Sequence, residues 1–251
     1  MNWIIDAIPT TRAAVETYDA FIARNLEWWR LNESHERACR QPYYVNFIKR
    51  TGLIDVLNDG VSVAEVGPGP FGGMLEVCNL RALRKTFIDY ALIHLVTLSF
   101  IKWPYDATYV HAAAESIPLR DDAVDLLVSY NAIDHGWDTL RALNECVRIS
   151  KMSCVSFDCR GDSPNEAEHR AKIHDRDHMQ MMKFSDIEAH ADVYRKAGYE
   201  CEVYDLGNKP NQWPVATIIV KKPVLVNAQV PARGIETRPF GITRQPVIQG
   251  E

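Results

Sequence analysis

Short apolar runs alternate with helically spaced apolar stripes along most of this chain. Runs dense in Val, Ile, Phe and Tyr stand at Val61–Val66, Thr86–Tyr90, Ala107–His111, Ala123–Ser129, Ser153–Asp158, Tyr199–Asp205 and Val215–Lys221. Each predicts a strand. Between them, Gly73–Leu83, Leu92–Ile101, Thr139–Ile149 and Ser185–Ala197 predict helices, and Gly198 is placed to cap the last one. The alternation implies an α/β fold: a doubly wound, mostly parallel, seven-stranded sheet with helices on both faces. The last two runs are joined only by Leu206–Pro214, too short for a crossover helix. The last strand is therefore expected to pair antiparallel.

The stretch before the sheet has a different rhythm. Tyr18, Phe21, Ile22 and Leu26 recur at spacings of three and four, and Trp28, Trp29 and Leu31 continue the stripe. A second helix is expected from about Tyr43 to about Leu57, after Pro42. Residues 1–58 thus read as an N-terminal helical cap and 59–222 as the main domain. Residues 223–251 contain four prolines and read as an extended tail.

Composition narrows the partners. Of 251 residues, 47% are apolar and 24% charged, an ordinary globular balance, and the net charge is −5. No global field draws such a chain to nucleic acid or anionic lipid. None of the six cysteines forms a C-x-x-C pair, so no zinc knuckle or dithiol motif is expected. The first residues lack a basic region followed by an apolar run, and no window approaches 18 apolar residues, so a cytoplasmic protein is expected. The N-terminal helices or the tail offer surfaces for a homodimer.

The candidate chemistry centres on Glu65-Val66-Gly67-Pro68-Gly69-Pro70-Phe71-Gly72-Gly73. A strand ends beside an acidic residue, and a glycine-rich turn then opens a helix. Gly67 and Gly69 permit torsions and a close approach that side chains would block. The backbone N–H groups at the helix start can meet a carboxylate. Asp89, 22 residues beyond Gly67 at the end of the second strand, is placed to hold ribose hydroxyls. These features indicate a nucleoside site, and they suit a nicotinamide or flavin as well as other nucleosides.

Three further segments sharpen the picture: Ala114-Glu115-Ser116-Ile117-Pro118-Leu119, Asp125-Leu126-Leu127-Val128-Ser129-Tyr130-Asn131-Ala132-Ile133-Asp134-His135, and the helix Leu143–Ser150. Together with the glycine-rich turn they resemble the class I S-adenosylmethionine (SAM)-dependent methyltransferases, specifically the small-molecule type 11 group, over residues 60–222. That resemblance implies a Rossmann-like methyltransferase fold with SAM as cofactor. It assigns Glu65, Gly67, Pro68 and Gly69 to the turn around the methionine part. Asp89 goes to the ribose, Tyr90 and Ala114 with Glu115 to the adenine, and Asn131 to the neighbourhood of the sulfonium. Pro68 and Pro70 depart from the smaller or polar residues usual in that turn, and Ser150-Lys151-Met152-Ser153 stands where a Lys-Pro-Gly-Gly turn is usual.

Asp134 and His135 follow the fourth strand, where an acceptor would meet the cofactor. His135 suits removal of a proton from a hydroxyl or amine. His169, His174 and His178 lie among Arg and Lys with no Glu or Cys completing a known pattern, so no metal is assigned and the segment reads as a polar substrate-side stretch. Trp28, Trp29, Tyr43 and Tyr44 read either as cap packing or as an aromatic lid. No Asn- or Asp-Pro-Pro-aromatic tetrapeptide follows the fourth strand and no Pro-Cys dipeptide occurs. With the acidic charge balance, this disfavours a nucleic-acid substrate and leaves a small molecule. The resemblance implies direct in-line transfer to a hydroxyl or amine. An NAD(P)-dependent oxidoreductase using the same turn, or a non-catalytic SAM-fold binding module, stays open on sequence alone.

Overall fold

The computed structural model describes residues 2–5, 12–57, 60–71, 73–92, 106–159, 182–205 and 215–223. The expected helix after Leu92, the His-rich segment and the tail from residue 224 lie outside the described residues. Eight strands form one sheet: β1 (Asn2–Ile5), β2 (Ser62–Val66), β3 (Arg84–Ile88), β4 (Ala107–His111), β5 (Val124–Tyr130), β6 (Ser150–Asp158), β7 (Glu200–Asp205) and β8 (Val215–Lys221). Their order is β1-β4-β3-β2-β5-β6-β8-β7. All neighbours are parallel except β8, which runs antiparallel to both β6 and β7. The seven expected strands are present. An eighth, β1, adds in parallel to the outer edge of β4, with Ile5 opposite His111. Four residues with no flanking turn signal gave no periodicity to read.

The helices are α1 (Arg12–Arg50), α2 (Leu53–Val56), α3 (Gly73–Val77), α4 (Thr139–Ile149) and α5 (Phe184–Lys196). The cap departs from the expectation of two helices divided at Pro42. Helix α1 runs through Pro42 and kinks instead at Asn32, whose φ of −116° and ψ of 17° leave the helical region. It ends at Thr51-Gly52, where Gly52 takes φ +67°. None of the described helices is long and apolar enough to cross a membrane.

Strand alternation splits the core between the two faces of the sheet. Ala64, Val66, Ile88, Val110, Leu127, Val155 and Phe157 pack with α4 and α5. Val63, Phe87, Tyr109, Leu126, Val128 and Cys154 pack with α3 and the last turns of α1. The same alternation turns Glu65 toward α3. Its carboxylate is 3% exposed and accepts the N–H of Met74 at 2.6 Å and of Leu75 at 3.0 Å. Burial pushes its pKa up to about 7, although both amide bonds pull it down.

A carboxyl whose folded pKa exceeds its ordinary value of 4.5 favours the folded state most when protonated. Stability is therefore lost as pH rises from about 4.5 to about 7. Relative to Glu65→Gln, which cannot ionise, the wild-type protein is expected to lose up to about 3 kcal/mol across that window, measured by urea unfolding at each pH; parallel curves for the two proteins would contradict it. A second, smaller effect concerns α4, whose N-cap Asp138 accepts the N–H of Arg141 at 3.0 Å. Asp138→Ala is expected to lower the unfolding free energy by about 1 kcal/mol, read from the urea midpoint at constant slope.

Candidate active site

The carboxyl ends of β2, β3, β4 and β5 meet at the point where the strand order reverses, the usual place for a ligand in an open α/β sheet. Gly67 leaves β2 with φ +69°, its N–H still bonded to Ile88 O at 2.8 Å. A Cβ added there would stand 2.2 Å from Ala132 Cβ. The turn after β2 and the turn after β5 therefore touch through a missing side chain. Ser129 Oγ secures the same junction by donating to Val66 O at 3.0 Å. Gly69 follows with φ +63° and begins a short 3-10 turn to Phe71.

Asp89 closes the turn from the other side. One carboxylate oxygen accepts the N–H of Gly69 at 3.2 Å and the other accepts that of Ala91 at 2.7 Å. Burial raises its pKa against the pull of those two bonds. Tyr90, next in sequence, stacks on His111 with ring centroids 5.4 Å apart. Asn131, after β5, adopts φ +51° and donates its N–H to Ser156 O at 2.7 Å.

These groups line a cleft of about 280 Å³, whose walls include Gly67, Gly69, Asp89, Tyr90, Ala114, Asn131 and His135 from the sheet side. The cap supplies Ile22, Trp29 and Arg40. Seven of the sequence-predicted residues thus come together here, and four do not line the cleft. Glu65 lies behind the turn on α3. Pro68 is buried within the turn. Glu115 turns its carboxylate to the loop after β5, accepting the N–H groups of Trp137 and, at 3.0 Å, of Asp138. Asp134 is fully buried and accepts the N–H of Asp158 at 3.1 Å. Each of the three acids turns a carboxylate oxygen to backbone amides that hold the turns in place, and the proline packs inside its turn.

The aromatic set divides in the same way. Trp29 lines the cleft. Tyr44 is buried and meets Tyr130 edge-on at 5.4 Å. Tyr43 is 53% exposed, and the Trp28 side chain lies outside the described residues. Sequence reasoning missed Arg40 and Ile22 as cleft residues. Ile22 was already in the helical stripe, and Arg40 stands four residues before Tyr44, one helical turn away; its Nη1 donates to Tyr44 Oη at 3.3 Å.

Comparison with known proteins agrees with this fold. Residues 64–154 match the family model described as a methyltransferase domain. No curated protein matches the chain in sequence. Among solved structures, the YcgJ protein from Bacillus subtilis superposes with a TM-score of 0.54 at 13% identity, covering 71% of this chain and 99% of that one. A SAM-dependent methyltransferase from Thermotoga maritima, described as a possible histamine N-methyltransferase, gives 0.51 at 18% identity, covering 82% and 100%. Phosphoethanolamine N-methyltransferase 2 from Haemonchus contortus, solved with SAM, gives 0.54 at 15% identity, covering 72% of this chain and 52% of that one. The chain carries the methyltransferase-domain signature over residues 64–154, set in the Rossmann-like fold of the class I methyltransferases, and resembles their type 11 group.

Proposed function

We propose that this protein is a SAM-dependent methyltransferase that acts on a small-molecule hydroxyl or amine by direct in-line transfer. The observation that carries the choice of cofactor is the occupant of the α3 N-terminus. A dinucleotide needs the N–H groups there for its pyrophosphate. Here the amides of Met74 and Leu75 are bonded to the Glu65 carboxylate. A second anion would meet a carboxylate in place of donors. A ligand with no phosphate and a cationic sulfur suits that environment, which argues against the nicotinamide reading.

The cradle fits such a ligand. Gly67 leaves the floor bare where any side chain would strike Ala132. Asp89 stands at the end of β3 with its carboxylate on the cleft, and each oxygen keeps a lone pair for a ribose hydroxyl beyond its amide bond. Tyr90 and Ala114 flank the space assigned to the adenine, and Asn131 the space assigned to the sulfonium. When bound, SAM supplies an already activated methyl group, so the protein's task is mainly alignment. His135, on the cleft wall after β5, is placed to take the acceptor's proton. Buried Asp134 and Glu115 hold the loop that presents it. The cleft volume and the net negative charge support a small acceptor over a nucleic-acid polymer.

Calorimetry tests this reading. S-adenosylhomocysteine is expected to bind the wild-type protein, and NADH to give no heat of binding. Asp89→Ala is expected to weaken the nucleoside by about tenfold or more, and Gly67→Val to abolish binding. Binding of NADH without S-adenosylhomocysteine, or unchanged affinity in both variants, refutes the proposal.

A further inference from the structure

The cofactor assigned above ends in an amino acid, and its α-carboxylate needs a partner. This inference rests on that assignment. From sequence, the amides at the start of α3 were the natural partner. The structure gives those amides at Met74 and Leu75 to Glu65, so they cannot serve. Another donor must stand where the glycine turn meets the cleft.

We infer that Arg40, on the cap helix α1, binds the α-carboxylate of the cofactor. Three observations place it there. Arg40 lines the cleft, and among the described lining residues it alone carries a permanent positive charge. Its Nη1 stands 3.8 Å from the position a Cβ on Gly69 would take, so the guanidinium lies over the second glycine of the turn. The bond from Nη1 to Tyr44 Oη at 3.3 Å holds it in that direction, and Tyr44 is itself fixed edge-on against Tyr130. A guanidinium presents five N–H donors in a planar fork, the geometry that grips a carboxylate through two parallel bonds.

The placement has a structural consequence. The floor of the cleft belongs to the sheet and Arg40 belongs to the cap, so the amino-acid end of the ligand bridges the two. Ile22 and Trp29, on the same long helix before its kink, face the same cleft. A carboxylate held by Arg40 ties the cap over the glycine turn, and a ligand lacking the carboxylate leaves that tie unmade.

Two ligands isolate the contact: S-adenosylhomocysteine, which has the amino-acid carboxylate, and 5′-methylthioadenosine, which lacks it. Both are titrated by calorimetry into the wild-type full chain, Arg40→Gln and Arg40→Lys. Arg40→Gln is expected to weaken S-adenosylhomocysteine by about 10- to 100-fold while 5′-methylthioadenosine changes by less than about threefold. Arg40→Lys, which keeps the charge and loses the fork, is expected to fall between.

Equal weakening of both ligands by Arg40→Gln would make Arg40 a structural support of the cap and overturn the inference. Unchanged S-adenosylhomocysteine affinity would overturn it too, and would leave the guanidinium to an anionic group on the acceptor. These outcomes are separable from failure of the cofactor assignment. If the wild-type protein binds neither nucleoside, the assignment fails and the inference with it; if it binds both and the Arg40 variants do not discriminate, the inference alone fails.

Discussion

A buried carboxylate at the head of a five-residue helix governs the geometry of the whole site. Strand β2 ends by turning Glu65 away from the cleft, and its two oxygens take the amides of Met74 and Leu75. Gly73, which opens α3, has φ +65°, and a Cβ there would lie 2.2 Å from Glu65 Oε1. The acid and the glycine are therefore one device: the helix cannot approach the carboxylate unless residue 73 has no side chain. Burying a carboxylate is costly, and amide bonds to a charged group return about 1.5–3 kcal/mol each. Asp89 repeats the arrangement on the cleft side by taking the amides of Gly69 and Ala91. The turn from Gly67 to Phe71 is thus pinned between two acids, one behind it and one in front.

That arrangement selects charge as well as shape. Turns of the G-x-G type are usually read as phosphate seats because the helix behind them offers unpaired amides. With Glu65 in possession of two of those amides, they no longer raise the local potential for an incoming anion. Arg40 lies near enough to Glu65 to pull its pKa down, though burial outweighs it. The site therefore holds an acid, a base on the opposing cap and a second acid in Asp89. A ligand carrying both charges fits such a pattern better than a polyanion does.

Much of the sheet was legible because its strands are buried on both faces and read as near-continuous apolar runs bounded by Gly, Asp and Ser. The pairing of β7 with β8 followed from loop length alone. The glycine turn, Asp89, Asn131 and His135 could be placed near one another from sequence because their spacing from strand ends is fixed by the fold, and the structure sets them along one cleft. What the sequence hid was direction. Glu65, Glu115 and Asp134 all sit beside the cleft in sequence, yet strand alternation and turn geometry swing each toward backbone amides. A carboxylate near a glycine turn looks the same in sequence whether it touches a ligand or supports the turn. The cap was obscured for another reason: Pro42 suggested a break, but helix α1 continues through it and bends ten residues earlier at Asn32, where no Gly or Pro marks the place.

The two walls of the cleft differ in kind, and this bears on what each one determines. The sheet side is shaped by small residues: Gly67, Ala112, Ala114, Ala132 and Gly136 all line it. Where these small residues lie its form comes from backbone, so it can change little there without disturbing strands that are buried on both faces. The cap side presents Ile22, Trp29 and Arg40, bulky side chains on one long helix. Substitution there alters the cleft without touching the sheet. In the proposed reading, the nucleoside rests against the rigid backbone surface, and the contacts that select an acceptor belong on the replaceable one. Arg40 stands where these two roles meet, since it reaches from the replaceable wall to the rigid turn.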